Sequence, residues 1–386
     1  MSYAPPIFYN SINDIPSAYW EQLGCGKNTY YTPEFLRAYE LANDDIVFRY
    51  IIIVNDQKKA VGFAATQTVT IPIETITQNI KIAEWIKKTI NSLFCNDSPK
   101  IMFCGNVFLS GEYGTFIKDG EDLNAVFHEL AAALKVVMKD TKRLHAVFVK
   151  DFKETSLKLT DQLKDYGYTP MKVEPNMIIM LKPEWTSFDD YKNELKSKYR
   201  VKANRADSKS EHLVAKEFTY QEIEQYKDEL QTLYENTIAN ANFNAQVLDL
   251  DTYMLLKRTY GDQFIVKGYF LEDKLVGFLS AIRNGHNLDA HFIGLNYALN
   301  KDYSIYPRIL NDYVRLGILY GSKRINLGRT ASEIKSTLGA KPQDLTCYIR
   351  HKRPFINSLM KPFIKNIRIK SFKEHAPFKK QASRLS

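Results

Sequence analysis

Apolar residues recur along the chain in two rhythms that come back in the same order. Short apolar runs at Phe48 to Ile53 and Phe264 to Phe270 each pass through an acidic turn into Val-Gly-Phe and a second apolar run, VNDQKKAVGFAAT (54–66) and LEDKLVGFLSAI (271–282). Both read as β-hairpins. Each half then shifts to helical spacing, over about 123–138 and 306–320, and returns to a short apolar strand at 144–149 and 324–327. A hairpin that recurs about 215 residues later, followed each time by a helix and a strand, predicts an internal duplication. The first half closes with a helix near 157–164 and a strand at 176–181. Pro183 and the helix start after Thr186-Ser-Phe-Asp then set a boundary, which predicts domains at 1–182 and 183–350 and a C-terminal segment at 351–386. Residues 80–100 read as an insertion in the first half.

At 386 residues, 45% apolar and 25% charged, the chain is long enough for two cores and too hydrophobic for disorder. MSYAPPIFYN has no basic-then-apolar signal pattern, and no uncharged apolar run reaches a membrane span. The expected location is the cytoplasm. Cys25, Cys95, Cys104 and Cys347 are scattered without ligand spacing, so they read as reduced and structural, and no metal site is expected. The net charge of +9 is local. Eleven Lys or Arg against Glu374 lie in 350–386, leaving the preceding chain near neutral. Phe355, Ile356, Leu359, Met360, Phe363, Ile364 and Ile367 follow a helix face there, with Lys361, Lys365 and Arg368 on other faces. Such a segment suits peripheral attachment to an anionic surface at the inner face of the membrane. A solvated extension interrupted at Pro362 is the other reading.

The duplicated order, together with a basic helix predicted across Tyr191 to Arg205, resembles a known family. That segment is similar to the Y-x-x-x-L-x-x-x-x-R-x-x-x-x-R-A stretch opening the second domain of tandem members of the GNAT acyltransferase superfamily, such as Fem-type aminoacyltransferases and their GNAT-like relatives. The resemblance implies an α+β (mixed-sheet α/β) fold of two tandem GNAT-like domains, each a twisted mixed sheet flanked by helices, with most of the site in the second. It implies N-acyl transfer from a thioester donor, acyl-CoA or acyl carrier protein, to the amine of a lipid or cell-envelope precursor, with no permanently bound cofactor. Two departures bear on the donor. Where acetyl-CoA-using members carry a Gly-rich loop, this chain reads YALNKDYSIYP (297–307), without glycine; and 206–230 offers no long helical arm of the kind Fem-type enzymes use for tRNA. An aminoacyl-tRNA-dependent transferase acting on a peptidoglycan precursor, and a non-catalytic membrane- or partner-binding module, stay open as alternatives.

An attacking amine needs a proton acceptor, and the oxyanion needs donors. On the strand Leu288 to Leu295, Asp289 and His291 alternate onto one face, a candidate orienting group and base. In INLGRTASEIKSTLGA (325–340), Thr330 and Glu333 match a Thr-x-x-Glu capping box, while Arg329 and Lys335, with Asn326 and Thr330, are candidate substrate contacts and Glu333 a candidate base. Lys198, Lys202 and Arg205 share one helical face, suited to a donor phosphate, an acidic carrier protein or tRNA, or simply solvated. Glu112 and Tyr113, in the glycine-bearing stretch 103–114, are candidate cleft residues.

Overall fold

The computed structural model describes residues 3–71, 98–240, 245–367, 369 and 371–379. Cys95 and residues 80–97 of the expected insertion lie outside them. Strands are numbered in chain order: β1 (Ile7–Tyr9), β2 (Val47–Val54), β3 (Ala60–Thr70), β4 (Lys100–Cys104), β5 (Thr115–Ile117), β6 (Leu144–Lys153), β7 (Thr169–Met180), β8 (Val214–Glu217), β9 (Phe264–Leu271), β10 (Lys274–Asn284), β11 (Asn287–Leu295), β12 (Arg324–Asn326) and β13 (Lys341–His351). The described chain forms two compact units, drawn from Met1–Glu174, Ala241–Thr252 and Asp344–Ile369, and from Pro175–Asn240, Tyr253–Gln343 and Lys370–Ser386.

In the first unit the sheet runs β1-β2-β3-β4-β6-β13, with β5 also on β3. Among the described residues its pairings are antiparallel except β4 with β6. The crossover between those two strands carries the helix Leu123–Asp140, started by Asp122, whose carboxylate accepts from the amides of Asn124 and Ala125. Its apolar positions Val126, Phe127, Leu130, Leu134 and Val137 return every three or four residues and are buried with Ile51, Val61 and Met102 from the sheet. Each such side chain contributes about 1.5–3 kcal/mol of burial, so the pattern that predicts the helix also fixes it in place.

In the second unit the sheet runs β7-β12-β11-β10-β9-β8, again antiparallel except for one pair, β11 with β12. The helix Ile305–Leu319 makes that crossover and buries Ile305, Ile309, Leu310, Tyr313 and Val314. The expected duplication is therefore present in the chain path: a meander, a long helix and a parallel strand occur in each unit. It also explains the repeated Val-Gly-Phe. A Cβ at Gly62 would sit 2.7 Å from Val126 Cγ1, and one at Gly277 would sit 2.7 Å from Ile305 Cγ2. In both halves the glycine lets the long helix approach the second strand of the hairpin.

Three expectations about the chain are corrected. The helix predicted across Tyr191 to Arg205 is two helices, Phe188–Glu194 and Ser197–Lys209, with Leu195 extended between them. Residues 377–379 cause the break by pairing there: Lys196 N donates to Pro377 O at 2.8 Å and Lys379 N to Glu194 O at 2.9 Å. A tertiary strand bridge thus overrides local helix propensity. Pro362 does not interrupt its segment, since the helix Pro354–Asn366 runs through it, anchored by buried Asn357 and Ile364. Beyond that helix, Phe378 packs on Trp185 and Tyr191 in the second unit, so that part of the segment is not a free extension.

Candidate functional site

The geometry centres on β11. Leu279 pairs with Ile293 and Ala281 with Ala290, so His291 and Phe292 together oppose the single residue Ser280, which is a β-bulge. Ser280 Oγ restores the interrupted ladder: it accepts from Phe292 N at 2.9 Å, lies 3.0 Å from Phe292 O, and is 2.7 Å from the Tyr253 hydroxyl. The bulge shifts the alternation of the strand. Leu288, Ala290, Ile293 and Leu295 pack with the core that includes the helix Ile305–Leu319. His291 and Phe292 instead join an aromatic group, with centroid distances of 5.6 Å from His291 to Tyr253 and 4.9 Å from Phe292 to Tyr234. Burial among these rings lowers the His291 pKa to about 3. The imidazole is therefore neutral near pH 7 and a weak proton acceptor, which corrects its assignment as the base.

A fork opens beside the bulge. The parallel ladder between β11 and β12 has three rungs and ends at Asp289 opposite Asn326, while β11 continues to Leu295. The chain after Asn326 leaves through Gly328 (φ 70°), Thr330 (φ 63°) and Ala331 (φ 47°). Asp289 and Asn326, 4% and 7% exposed, therefore flank the point where the two strands part. The corresponding strand of the first unit differs: β4 pairs with β6 along its whole length and stops at Cys104, leaving no such overhang.

Lys335 holds the departing loop. Its ammonium donates to the carbonyls of Leu327 (2.7 Å), Gly328 (3.4 Å) and Arg329 (2.6 Å), and the residue is only 6% exposed. The expected substrate contact is thus corrected to a tie that fixes the loop carrying Arg329. The expected capping box is absent. Thr330 and Ala331 are both left-handed, Ala331 is the N-cap of Ser332–Ser336, and no side chain caps that helix. Glu333 points outward, 59% exposed, with His375 Nε2 at 3.4 Å, a poor place for a base at the fork. Arg329 remains half-buried at the end of the tied loop.

The donor candidates Lys198, Lys202 and Arg205 lie on the exposed face of the helix Ser197–Lys209. Its other face is locked to the helix Ile305–Leu319: Asn311 donates to Ala203 O and Asp207, and Arg315 donates to Asp207 at 2.5 Å. Sequence reasoning missed the centre of this contact. Asp312, fully buried, accepts from Tyr269 at 2.8 Å and is ringed by Arg308, Arg315 and Lys267. Burial by itself would raise its pKa, but the surrounding cations and the Tyr269 hydrogen bond hold it below the usual carboxylate range. An aspartate within the apolar periodicity of 305–319, with Arg308 and Arg315 four and three residues away, was the available signal.

The helix N-termini after β11 are occupied by their own chain. Asn296 Oδ1 accepts from the amides of Ala298 and Leu299, and Asn300 Oδ1 from that of Tyr306. In the first unit, Glu112 accepts from Lys153 N at 2.6 Å and pairs with its ammonium, while Tyr113 stacks on Tyr30. Their groups organise the 103–114 loop, and the other candidates all belong to the second unit. Among the described residues no His, Cys, Asp and Glu group has the arrangement of a metal site, and no helix is long and apolar enough to cross a membrane.

No protein-family model and no curated protein matches this chain. Solved structures do. A tandem GNAT protein from the clavulanic acid biosynthesis pathway is similar with a TM-score of 0.52 at 8% identity, over 90% of this chain and 99% of that one. The C-terminal domain of a putative lysylphosphatidylglycerol synthetase from Agrobacterium fabrum has a TM-score of 0.50 at 10% identity, over 90% and 95%. FemX is matched with a TM-score of 0.49 at 10% identity, over 82% and 90%. By its likeness to the first two, the fold is that of two tandem GNAT-like units, α+β with mixed sheets.

Proposed function

We propose that the chain is an N-acyltransferase that moves an acyl group from a thioester to an amine, using the fork of the second unit. The observation that carries this reading is the bulged β11, which outruns β12 past the Asp289–Asn326 rung. A strand edge without its neighbour has main-chain amides directed at a cleft, where they can polarise a thioester carbonyl and stabilise the oxyanion that forms on attack. Asp289, buried where the two strands part, orients the acceptor amine and takes its proton. Arg329, held by the Lys335 tie, suits an anionic group on the acceptor, such as a phosphate or carboxylate.

For the donor, the reading favours an acyl carrier protein over free acyl-CoA. The amides that could hold a pyrophosphate after β11 are capped by Asn296 and Asn300, whereas Lys198, Lys202 and Arg205 form an exposed basic face suited to an acidic carrier. Aminoacyl-tRNA could use the same basic face and is the competing donor. The acceptor class is the amine of a lipid or cell-envelope precursor. The test supplies acyl-carrier thioester, acyl-CoA and charged tRNA separately and follows amide product by mass spectrometry, comparing the native chain with K202E/R205E. The reading expects turnover with the carrier thioester and a raised KM for it in the variant. Turnover with acyl-CoA unaffected by the variant would remove the carrier role, and turnover only with charged tRNA would move the chain to the aminoacyl-transfer class.

A further inference from the structure

The first unit has a cavity of about 680 Å³ at the end of its parallel strand pair, lined by Ser98, Lys100, Arg143, His145, His351 and Arg353, together with Leu144. None of these lining side chains is acidic. Both imidazoles are held in one tautomer by main-chain amides, which can only donate: Lys100 N donates to His145 Nδ1 at 3.2 Å and Arg353 N to His351 Nδ1 at 3.0 Å. In its neutral form each ring therefore carries its proton on Nε2. Burial first, and the neighbouring His145 and Arg353, keep His351 below its ordinary range and so neutral. The cavity is thus walled by three cations and two N–H donors, a chemistry that fits a phosphate.

The helix Pro354–Asn366 starts at the mouth of this cavity. Its orientation is fixed by Asn357, which accepts from His351 N at 2.9 Å and donates to Gly167 O at 2.9 Å, and by buried Ile364. The outer face then presents Phe355, Leu359 and Phe363, at 75%, 47% and 47% exposure, with Lys361 and Lys365 also exposed. These three apolar residues recur every four positions, which makes one continuous stripe on the helix.

We infer that this face docks on an anionic phospholipid surface, with the stripe entering the acyl boundary and the cavity at the start of the helix receiving a lipid phosphate. Charge complementarity selects this occupant. An apolar protein partner accounts for the stripe but not for a cation-lined cavity beside it, and a soluble phosphate accounts for the cavity but not for the stripe.

The test uses the full chain and vesicle sedimentation with phosphatidylcholine alone or mixed with phosphatidylglycerol. Two variants separate the parts: R143E/R353E in the cavity and F355S/F363S on the stripe. All four residues are surface groups, and unchanged circular dichroism and melting confirm the fold. Binding should require phosphatidylglycerol. It should weaken on the order of fivefold or more for each reversed cation, and at least about tenfold when the stripe is made polar. Equal binding to neutral vesicles, or binding indifferent to R143E/R353E, would overturn the phosphate cavity. Concentration-dependent dimerisation abolished by F355S/F363S, without vesicle binding, would show the stripe to be a self-association surface and overturn the proposal. Glycerol phosphate that binds as well as the vesicles do would overturn the lipid surface in favour of a soluble ligand.

Discussion

Replacing Lys335 by Met separates a loop tie from a substrate contact. Methionine keeps the unbranched stem and its burial but removes the ammonium that bonds the carbonyls of Leu327 and Arg329 at 2.7 and 2.6 Å and approaches that of Gly328. Hydrogen bonds to a charged group are worth about 1.5–3 kcal/mol each, so losing the two short ones costs about 3–6 kcal/mol. The loop is partly open to water, and rehydration of the freed carbonyls brings the expected loss to about 3 kcal/mol. The bonds also hold Thr330 and Ala331 in left-handed conformations that disfavour side chains by roughly 1–2 kcal/mol each. Their release should open the loop rather than leave it merely loosened. Hydrogen exchange read by mass spectrometry on peptides covering 325–340 is the assay. An opening cheaper by about 3 kcal/mol raises exchange there roughly 100-fold and leaves peptides of the first unit unchanged. Unchanged exchange with lost activity would refute the tie and restore Lys335 as a direct substrate contact.

Further outcomes follow from the same geometry. Asp312→Asn leaves Lys267, Arg308 and Arg315 facing a neutral amide in a buried site, and should destabilise the second unit by about 3–5 kcal/mol in urea unfolding. Because the folded pKa of His291 lies below its unfolded value, the folded chain binds fewer protons between the two. Stability should therefore fall by about 1.4 kcal/mol per pH unit as pH drops below about 6.5, and His291→Gln should flatten that dependence. Gly339 has φ 91° and its missing Cβ would collide with the Phe378 ring, so Gly339→Ala should undock 371–379 and expose it to limited proteolysis.

The elements were legible where burial follows a single period. The helix expected at 123–138 spans Leu123–Asp140 and the one at 306–320 spans Ile305–Leu319, because their apolar faces repeat at helical spacing. Strand β7 was read short, at 176–181, since residues 169–175 hold Pro170 and Pro175 with the charged Lys172 and Glu174, which a partly exposed strand tolerates. What stayed hidden depends on partners distant in sequence. The bulge at His291–Phe292 has no residue signature of its own and is visible only through its pairing with Ser280. The Thr-x-x-Glu pattern at 330–333 was outcompeted by Lys335 reaching back to the loop. The break at Leu195 is imposed by Phe378, and the phosphate cavity gathers residues from 98–100, 143–145 and 351–353. Charge density marked only the last of those three segments.

The most direct test of the fork as an acyl-transfer centre is single-turnover mass spectrometry with acyl-carrier thioester and an amine acceptor, comparing the native chain with Asp289→Asn. The account predicts amide product from the native chain and a rate lower by about 10²–10⁴-fold in the nearly isosteric variant, the range expected when a positioned proton acceptor is removed. Full-rate amide formation by Asp289→Asn would contradict it.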